Sequence, residues 1–129
     1  MDGVTYVNDS KATNVDAAWY ALDAQKSPVV WIAGGKDKGN DYSVLNDLCR
    51  EKVRALVCLG KDNTKLKECF SGVIETIVDT HDIATCVAEC RKIAKAGDVV
   101  LLSPCCASFD LFTSYENRGD LFREEVEKL

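Results

Sequence analysis

The chain has 129 residues, 47% apolar and 29% charged, the profile of one globular domain spanning residues 1–129, whose core removes roughly two thirds of the unfolded surface from water. A net charge of −5 without a dense basic run argues against a nucleic-acid or membrane-surface role, so any anion site must be built from local positive charge. No apolar run approaches the roughly 20 residues of a membrane span, Met1-Asp2-Gly3 carries no signal pattern, and the cysteines form no C-x-x-C pair, so they read as reduced buried thiols of a cytoplasmic protein.

Short β-rich runs alternate with segments of helical period, the signature of a parallel sheet with helices on its faces. Strands are expected near Val4 to Val7, Val29 to Ala33, Ala55 to Leu59, Glu75 to Val78 and Val99 to Leu102. Between the first two, Val15, Ala18, Trp19 and Leu22 recur at helical spacing within Asn14 to Gln25. Further helices are expected at Ser43 to Glu51, Asn63 to Cys69 and Asp82 to Lys95, the last capped by Asp82 and stopped near Gly97. Beyond the last strand, Phe109 to Tyr115 and Leu121 to Leu129 read as two helical pieces. Asn117-Arg118-Gly119 separates them and Asp120 caps the second. Right-handed crossovers put the C-terminal ends of all the strands on one edge of the sheet, where ligands should bind.

Three loops leaving that edge are chemically unusual. Asn8-Asp9-Ser10-Lys11-Ala12-Thr13-Asn14 is dense in hydrogen-bonding groups and runs into a helix N-terminus, where unpaired N–H groups favour an anion; Thr13 beside Lys11 suits a carboxylate or phosphate, or Thr13 and Asn14 serve only as caps. Gly34-Gly35-Lys36-Asp37-Lys38-Gly39-Asn40-Asp41 combines glycines with two lysines, either a ligand loop or a flexible connection, and it lacks Walker A spacing. Ser103-Pro104-Cys105-Cys106-Ala107-Ser108 leads from a buried strand toward an aromatic segment, where Ser108 either caps a helix or offers its hydroxyl to a ligand. No Gly-x-Ser-x-Gly elbow is present, and the lone His81 belongs to a different loop from Cys105 and Cys106, which disfavours a nucleophile. A single histidine also leaves no zinc spacing. Arg118 reaches an anion or pairs on the surface with Glu116 or Asp120. Phe109, Phe112 and Tyr115 have core-like helical spacing, with Tyr115 at an exposed end.

These motifs, Asn-Asp-Ser-Lys-Ala-Thr-Asn at 8–14, Gly-Gly-Lys-Asp-Lys at 34–38, and Leu-Ser-Pro-Cys-Cys-Ala-Ser-Phe-Asp at 102–110 followed by Arg118-Gly119, resemble the third, C-terminal domain of the Mur ligases. The first motif is similar to that of the branch that adds D-glutamate to UDP-N-acetylmuramoyl-L-alanine in peptidoglycan biosynthesis. The resemblance covers nearly the whole chain. It implies a Rossmann-like three-layer α/β/α sandwich whose mostly parallel sheet has about six strands.

It also implies a reaction in which ATP, with Mg2+, phosphorylates the carboxylate of UDP-N-acetylmuramoyl-L-alanine and the amine of D-glutamate attacks the acyl phosphate. Positions matching Thr13, Lys38, Ser108 and Tyr115 would hold D-glutamate, Asn8, Asp9 and Lys11 would face the nucleotide, and Lys36 and Arg118 would give anion support. Tyr115 stands where the family often has Phe, and Cys105-Cys106 replaces the more usual Ala-Cys. The chain has no phosphate-binding Gly-Lys-Thr/Ser, no magnesium ligands and no UDP-binding domain, so alone it is expected to be inactive, and Met1 directly before a strand reads as a trimmed start. The whole is expected to be a cytoplasmic monomer. Competing readings are a folylpolyglutamate-synthetase-like ligase domain, against which the 8–14 loop argues, and a stand-alone module that binds an acidic metabolite without catalysis.

Overall fold

The computed structural model describes residues 3–35, 41–106 and 111–129. In chain order these form β1 (Thr5–Asn8), α1 (Val15–Asp23), β2 (Val29–Gly34), a 3-10 turn (Tyr42–Leu45) leading directly into α2 (Asn46–Lys52), β3 (Val53–Leu59), α3 (Thr64–Phe70), β4 (Thr76–Thr80), α4 (Ile83–Ile93), β5 (Val99–Cys105) and α5 (Tyr115–Glu127). The strands lie in the order β1-β5-β2-β3-β4, and every pair is parallel. Five strands appear among the described residues where about six were expected. The sequence itself marks five runs of strand character, and the C-terminal segment winds into a helix.

Strand side chains alternate between two cores because successive residues of a strand face opposite ways. Val29, Trp31, Ala33, Leu56, Cys58, Val99 and Leu101 point to one face and meet Ala18 and Leu22 of α1, Leu48 of α2, and Leu66 and Phe70 of α3. Val30, Ile32, Ala55, Val57, Leu59, Val100 and Leu102 point to the other and meet Cys86, Val87 and Cys90 of α4 and Phe122 of α5. The result is the expected α/β/α sandwich. All residues of β2 and of β5 are buried, as parallel strands covered on both faces must be. Each fully buried Leu, Ile or Val contributes about 1.5–3 kcal/mol. Trp31, a large polar aromatic in this core, donates its indole N–H to the Ser103 carbonyl at 2.8 Å and meets Phe70 edge-on at 5.4 Å between ring centres.

Caps place the helices. Asn14 accepts the Ala17 N–H at 2.9 Å, and Asp82 accepts those of Thr85 from backbone and hydroxyl at 2.8 Å each. α4 ends at Ile93, before Gly97, which takes a left-handed φ of 92° in the turn into β5.

The C-terminal expectation needs correction. Instead of a first helical piece reaching to Tyr115, residues 111–114 are non-helical and α5 begins at Tyr115, capped by the Ser114 hydroxyl accepting the Asn117 N–H at 3.0 Å. The helix then runs unbroken through Asn117-Arg118-Gly119, and Asp120 lies inside it. Glycine suits position 119 of the helix because α5 approaches the β1 end so closely that a Cβ there would stand 3.2 Å from both the Asn8 amide oxygen and the Ser10 Cβ. It marks a close approach where a break was read.

Candidate functional site

The chain moves β2 to β3 to β4 with its crossovers on one face, then returns on the other face through α4 to insert β5 between β1 and β2. The loops after β1 and β2 therefore run toward one face, while the chain after β5 leads to α5 on the other. A crevice opens where neighbouring loops diverge, the usual ligand position in such sheets. The three chemically unusual loops are those of β1, β5 and β2, so the topology brings them together.

Ser10 is the hub of the first loop. It is buried, its N–H donates to the Asn8 side-chain oxygen at 3.3 Å, and its hydroxyl donates to the Tyr115 carbonyl at 2.6 Å. The Asn8 amide donates to the Gly119 carbonyl at 2.9 Å. The loop is also tied to the sheet: Asp9 N–H donates to Leu102 O at 2.8 Å, and Cys105 N–H to Ala12 O at 2.8 Å. Around this frame Lys11 stays exposed and Asp9 and Thr13 half-buried, just before the N-terminus of α1. Partial burial raises the Asp9 carboxyl above its ordinary value, an effect that the Lys11 charge opposes.

Arg118 is not a surface residue beside Glu116 or Asp120. Its side chain is among the largest fully buried ones, and Asp120 pairs with Arg123 at 3.3 Å. The guanidinium donates to the Ser10 hydroxyl at 3.0 Å, the Ser10 carbonyl at 2.9 Å and the Cys106 carbonyl at 3.2 Å, with a longer approach of 3.5 Å to the Gly34 carbonyl. One cation thus touches all three loops.

The other two loops begin in strained backbone. Gly34 has φ 142°, and a Cβ there would lie 2.3 Å from the Leu59 carbonyl oxygen, so only glycine lets β2 pass β3 at this point. Opposite it, Cys105 adopts a left-handed φ of 53°, uncommon for a residue with a side chain. A register shift lies between the Ile32–Leu102 and Gly34–Cys105 pairings, a bulge of the kind that accommodates Pro104, which has no N–H to give a ladder. The Cys106 thiol is 3.0 Å from the Tyr42 hydroxyl, a contact sequence reasoning did not anticipate.

The described residues thus bring Asn8, Lys11 and Tyr115 together around a shallow hollow of about 290 Å³, completed by Ser10, Glu116, Gly119 and Asp120. Thr13 lies in the same loop and Asp9 at its start. Lys36, Lys38 and Ser108 lie outside the described residues. His81 sits after β4, its ring nitrogen Nδ1 2.6 Å from the Gly60 carbonyl, and both β2 and β3 separate that strand from the β5 thiols. All the cysteines but Cys69 are buried, and burial pushes Cys49 and Cys58 up to about 12, so these thiols stay protonated at neutral pH. Ser10 and Gly119 carry the local geometry, although the sequence reading gave neither a place in the site. The signal available for α5 was Ser114 three residues before Asn117, followed by Phe122 and Val126 at helical spacing.

Among known proteins, a family model described as Mur ligase, glutamate ligase domain, matches residues 1–106. Proteins named UDP-N-acetylmuramoylalanine--D-glutamate ligase are similar along the chain: that of Cytophaga hutchinsonii is 54% identical over 98% of this chain and 28% of its own length. That of Christiangramia forsetii is 50% identical over 100% of this chain and 29% of its own. That of Porphyromonas gingivalis is 54% identical over 98% and 28%. This chain therefore spans under a third of the length of these curated relatives. In fold it is similar to a crystallised domain from a Haemophilus ducreyi protein described as a UDP-N-acetylmuramate:L-alanyl-gamma-D-glutamyl-diaminopimelate ligase. That likeness has a TM-score of 0.58 at 11% identity, covering 98% of this chain and 92% of that one. With the sheet order, the three loops and the family match in agreement, the chain belongs to the Mur ligase family, as its glutamate ligase domain.

Proposed function

We propose that this chain is the amino-acid-binding domain of an ATP-dependent ligase that joins D-glutamate to UDP-N-acetylmuramoyl-L-alanine. The observation that carries the reading is the convergence of the loops after β1, β5 and β2 on one sheet edge, fastened together by Arg118. The names of the relatives supply the substrate class.

In this reading the exposed Lys11 and the Asn8 and Asp9 side chains face the nucleotide, with the Asp9 carboxylate accepting from ribose hydroxyls and the Lys11 ammonium opposing phosphate charge. Thr13, Lys38, Ser108 and Tyr115 hold D-glutamate, whose two carboxylates require cations and N–H or O–H donors on an acidic protein. The domain contributes position more than acid-base chemistry: it delivers the D-glutamate amine to an acyl phosphate formed on the UDP-N-acetylmuramoyl-L-alanine carboxylate, from which phosphate leaves. Mg2+ neutralises phosphate charge in such transfers and is assigned to ligands outside this chain, as is the phosphate loop. By itself the chain is therefore inactive, and the complete enzyme works as a cytoplasmic monomer.

The test is a split in kinetics of the full-length protein that carries this domain. Lys38→Ala is expected to raise the apparent KM for D-glutamate, whereas Lys11→Ala damages ATP-dependent turnover with a smaller effect on D-glutamate. Wild-type kinetics in either variant would refute the role assigned to that residue, and a wild-type protein that adds no D-glutamate would refute the reading.

A further inference from the structure

We infer that Arg118 is a positioning residue whose buried guanidinium sets the loop after β1 against the loops after β2 and β5, holding the nucleotide half and the amino-acid half of the site in one geometry. The inference rests on the proposed function for what the loops bind, and on the hydrogen bonds of Arg118 for how they are joined.

A guanidinium is a planar fork with donors pointing in fixed directions, so it can bind several acceptors at once and so fix their separation. Its acceptors include backbone carbonyls from three loops far apart in sequence: Ser10 at 2.9 Å, Cys106 at 3.2 Å and, at longer range, Gly34 at 3.5 Å. The Ser10 hydroxyl extends the chain of directed bonds, accepting from Arg118 Nε at 3.0 Å and donating to the Tyr115 carbonyl at 2.6 Å. Because Tyr115 and Arg118 share the first turns of α5, the helix and the first loop grip one another at two points. The absent side chain of Gly119 permits this approach, and the Asn8 amide closes it at 2.9 Å from the Gly119 carbonyl.

Burial decides between this role and direct contact with an anion. Arg118 is 1% exposed and is not among the residues lining the nearby hollow, whereas Asn8, Lys11 and Tyr115 are. A cation so deeply placed carries a large desolvation cost, and the directed bonds to the Ser10 hydroxyl and to the carbonyls of separate loops help to offset it only while those loops stay in place. The loops are thereby held to one arrangement. Asp9, Lys11 and Thr13 are carried by the segment that Ser10 anchors, and Tyr115 by the first turn of α5, which the Ser10 hydroxyl joins to the guanidinium. Moving the guanidinium should therefore disturb both ligands, although it touches neither.

The deciding experiment compares wild type with Arg118→Lys in the full-length protein, using D-glutamate, ATP and UDP-N-acetylmuramoyl-L-alanine as substrates. Lysine keeps the charge and loses the fork. The apparent KM is expected to rise for both D-glutamate and ATP, with kcat/KM falling on the order of 10²-fold for each. A lower kcat with both KM values unchanged would mean a smaller active fraction only and would overturn the inference, as would a rise for one substrate alone. Should Arg118→Lys not fold, Ser10→Ala removes only the hydroxyl relay; it is expected to raise both KM values by less, and wild-type values in the folded variant would overturn the inference. Amide chemical shifts of the same proteins give a readout independent of activity. Coordinated changes at Lys11, Gly34 and Cys106 support the positioning role, while changes confined to α5 contradict it, even if wild type adds no D-glutamate and the proposed function falls.

Discussion

The two edges of the sheet put their arginines to different structural use. At the N-terminal edge, Arg54 forms a two-pronged ion pair with Asp98, at 2.8 and 3.0 Å, across the starts of β3 and β5. Asp98 also accepts the Lys95 N–H at 2.9 Å, and the Lys52 ammonium donates to the Asp23 and Gln25 carbonyls at 2.7 and 2.8 Å. There, a carboxylate is satisfied by a guanidinium and the strand starts are clamped. At the C-terminal edge, the buried Arg118 organises backbone carbonyls, the backbone is strained at Gly34 and Cys105, and Lys11 is left outward. Size does not separate the edges in the same sense. Two hollows of about 440 and 430 Å³ open at the N-terminal edge, near Pro28, Glu51 and Lys52, against about 290 Å³ beside Tyr115. What marks the edge proposed to bind ligands is convergent polar geometry with unusual backbone at Gly34 and Cys105, which a purely structural edge has no reason to carry.

The largest expected effect that would sharpen this contrast is at Gly34. Gly34→Ala places a methyl 2.3 Å from the Leu59 carbonyl oxygen in backbone that side chains disfavour. It is expected to cost about 4 kcal/mol in denaturant unfolding and to shift the loop after β2. A loss under about 1 kcal/mol would show that this strand end relaxes freely. Next comes Asp98→Ala, which leaves Arg54 without its carboxylate. The pair is buried on the Asp98 side only, with side-chain exposures of 34% for Arg54 and 2% for Asp98, so a loss of about 3 kcal/mol is expected, at the low end for a broken buried pair. Ligand kinetics should be unchanged in the fraction that remains folded; an altered KM for D-glutamate would break the separation of the two edges.

The smallest effect is at Asp79, which lies near the C-terminal end of β4, away from the β1, β5 and β2 loops. Burial alone would raise its carboxyl, yet hydrogen bonds from Asn63 and Lys67 and the charges of Lys67 and His81 hold it below its ordinary value of 3.8. A carboxyl lowered by folding stabilises the fold above its unfolded value, and that contribution disappears as pH falls through the lowered value. Asp79→Asn should therefore reduce Tm modestly near neutral pH, with the gap to wild type closing as pH drops below 3.8. A gap independent of pH would contradict the charge-based origin of the effect.

Much of the fold was legible because buried parallel strands leave a plain record. Val29 to Ala33 and Val99 to Leu102 are apolar on both faces, and the polar 8–14 loop ends at a helix cap. What escaped was set by contacts distant in sequence. Gly119 reads as a helix stop by propensity, but its place in α5 is decided by Asn8 and Ser10, more than a hundred residues away. For the same reason Arg118, flanked by Glu116 and Asp120, reads as a surface residue; nothing local reveals that it is buried and that its acceptors include carbonyls of loops after β1, β2 and β5. The left-handed Cys105 is likewise a product of the bulge between β2 and β5. Residue types at the site were readable, whereas the device that assembles them was not.

The most direct measurement is an amide chemical-shift titration of the chain with D-glutamate, with resonances from both edges followed together. Saturable shifts are expected at Asn8 to Asn14, Gly34 to Asp41 and Ser103 to Tyr115, with Gln25 to Pro28 and Lys52 to Arg54 unmoved. Shifts confined to the N-terminal edge would contradict the assignment of the amino-acid site.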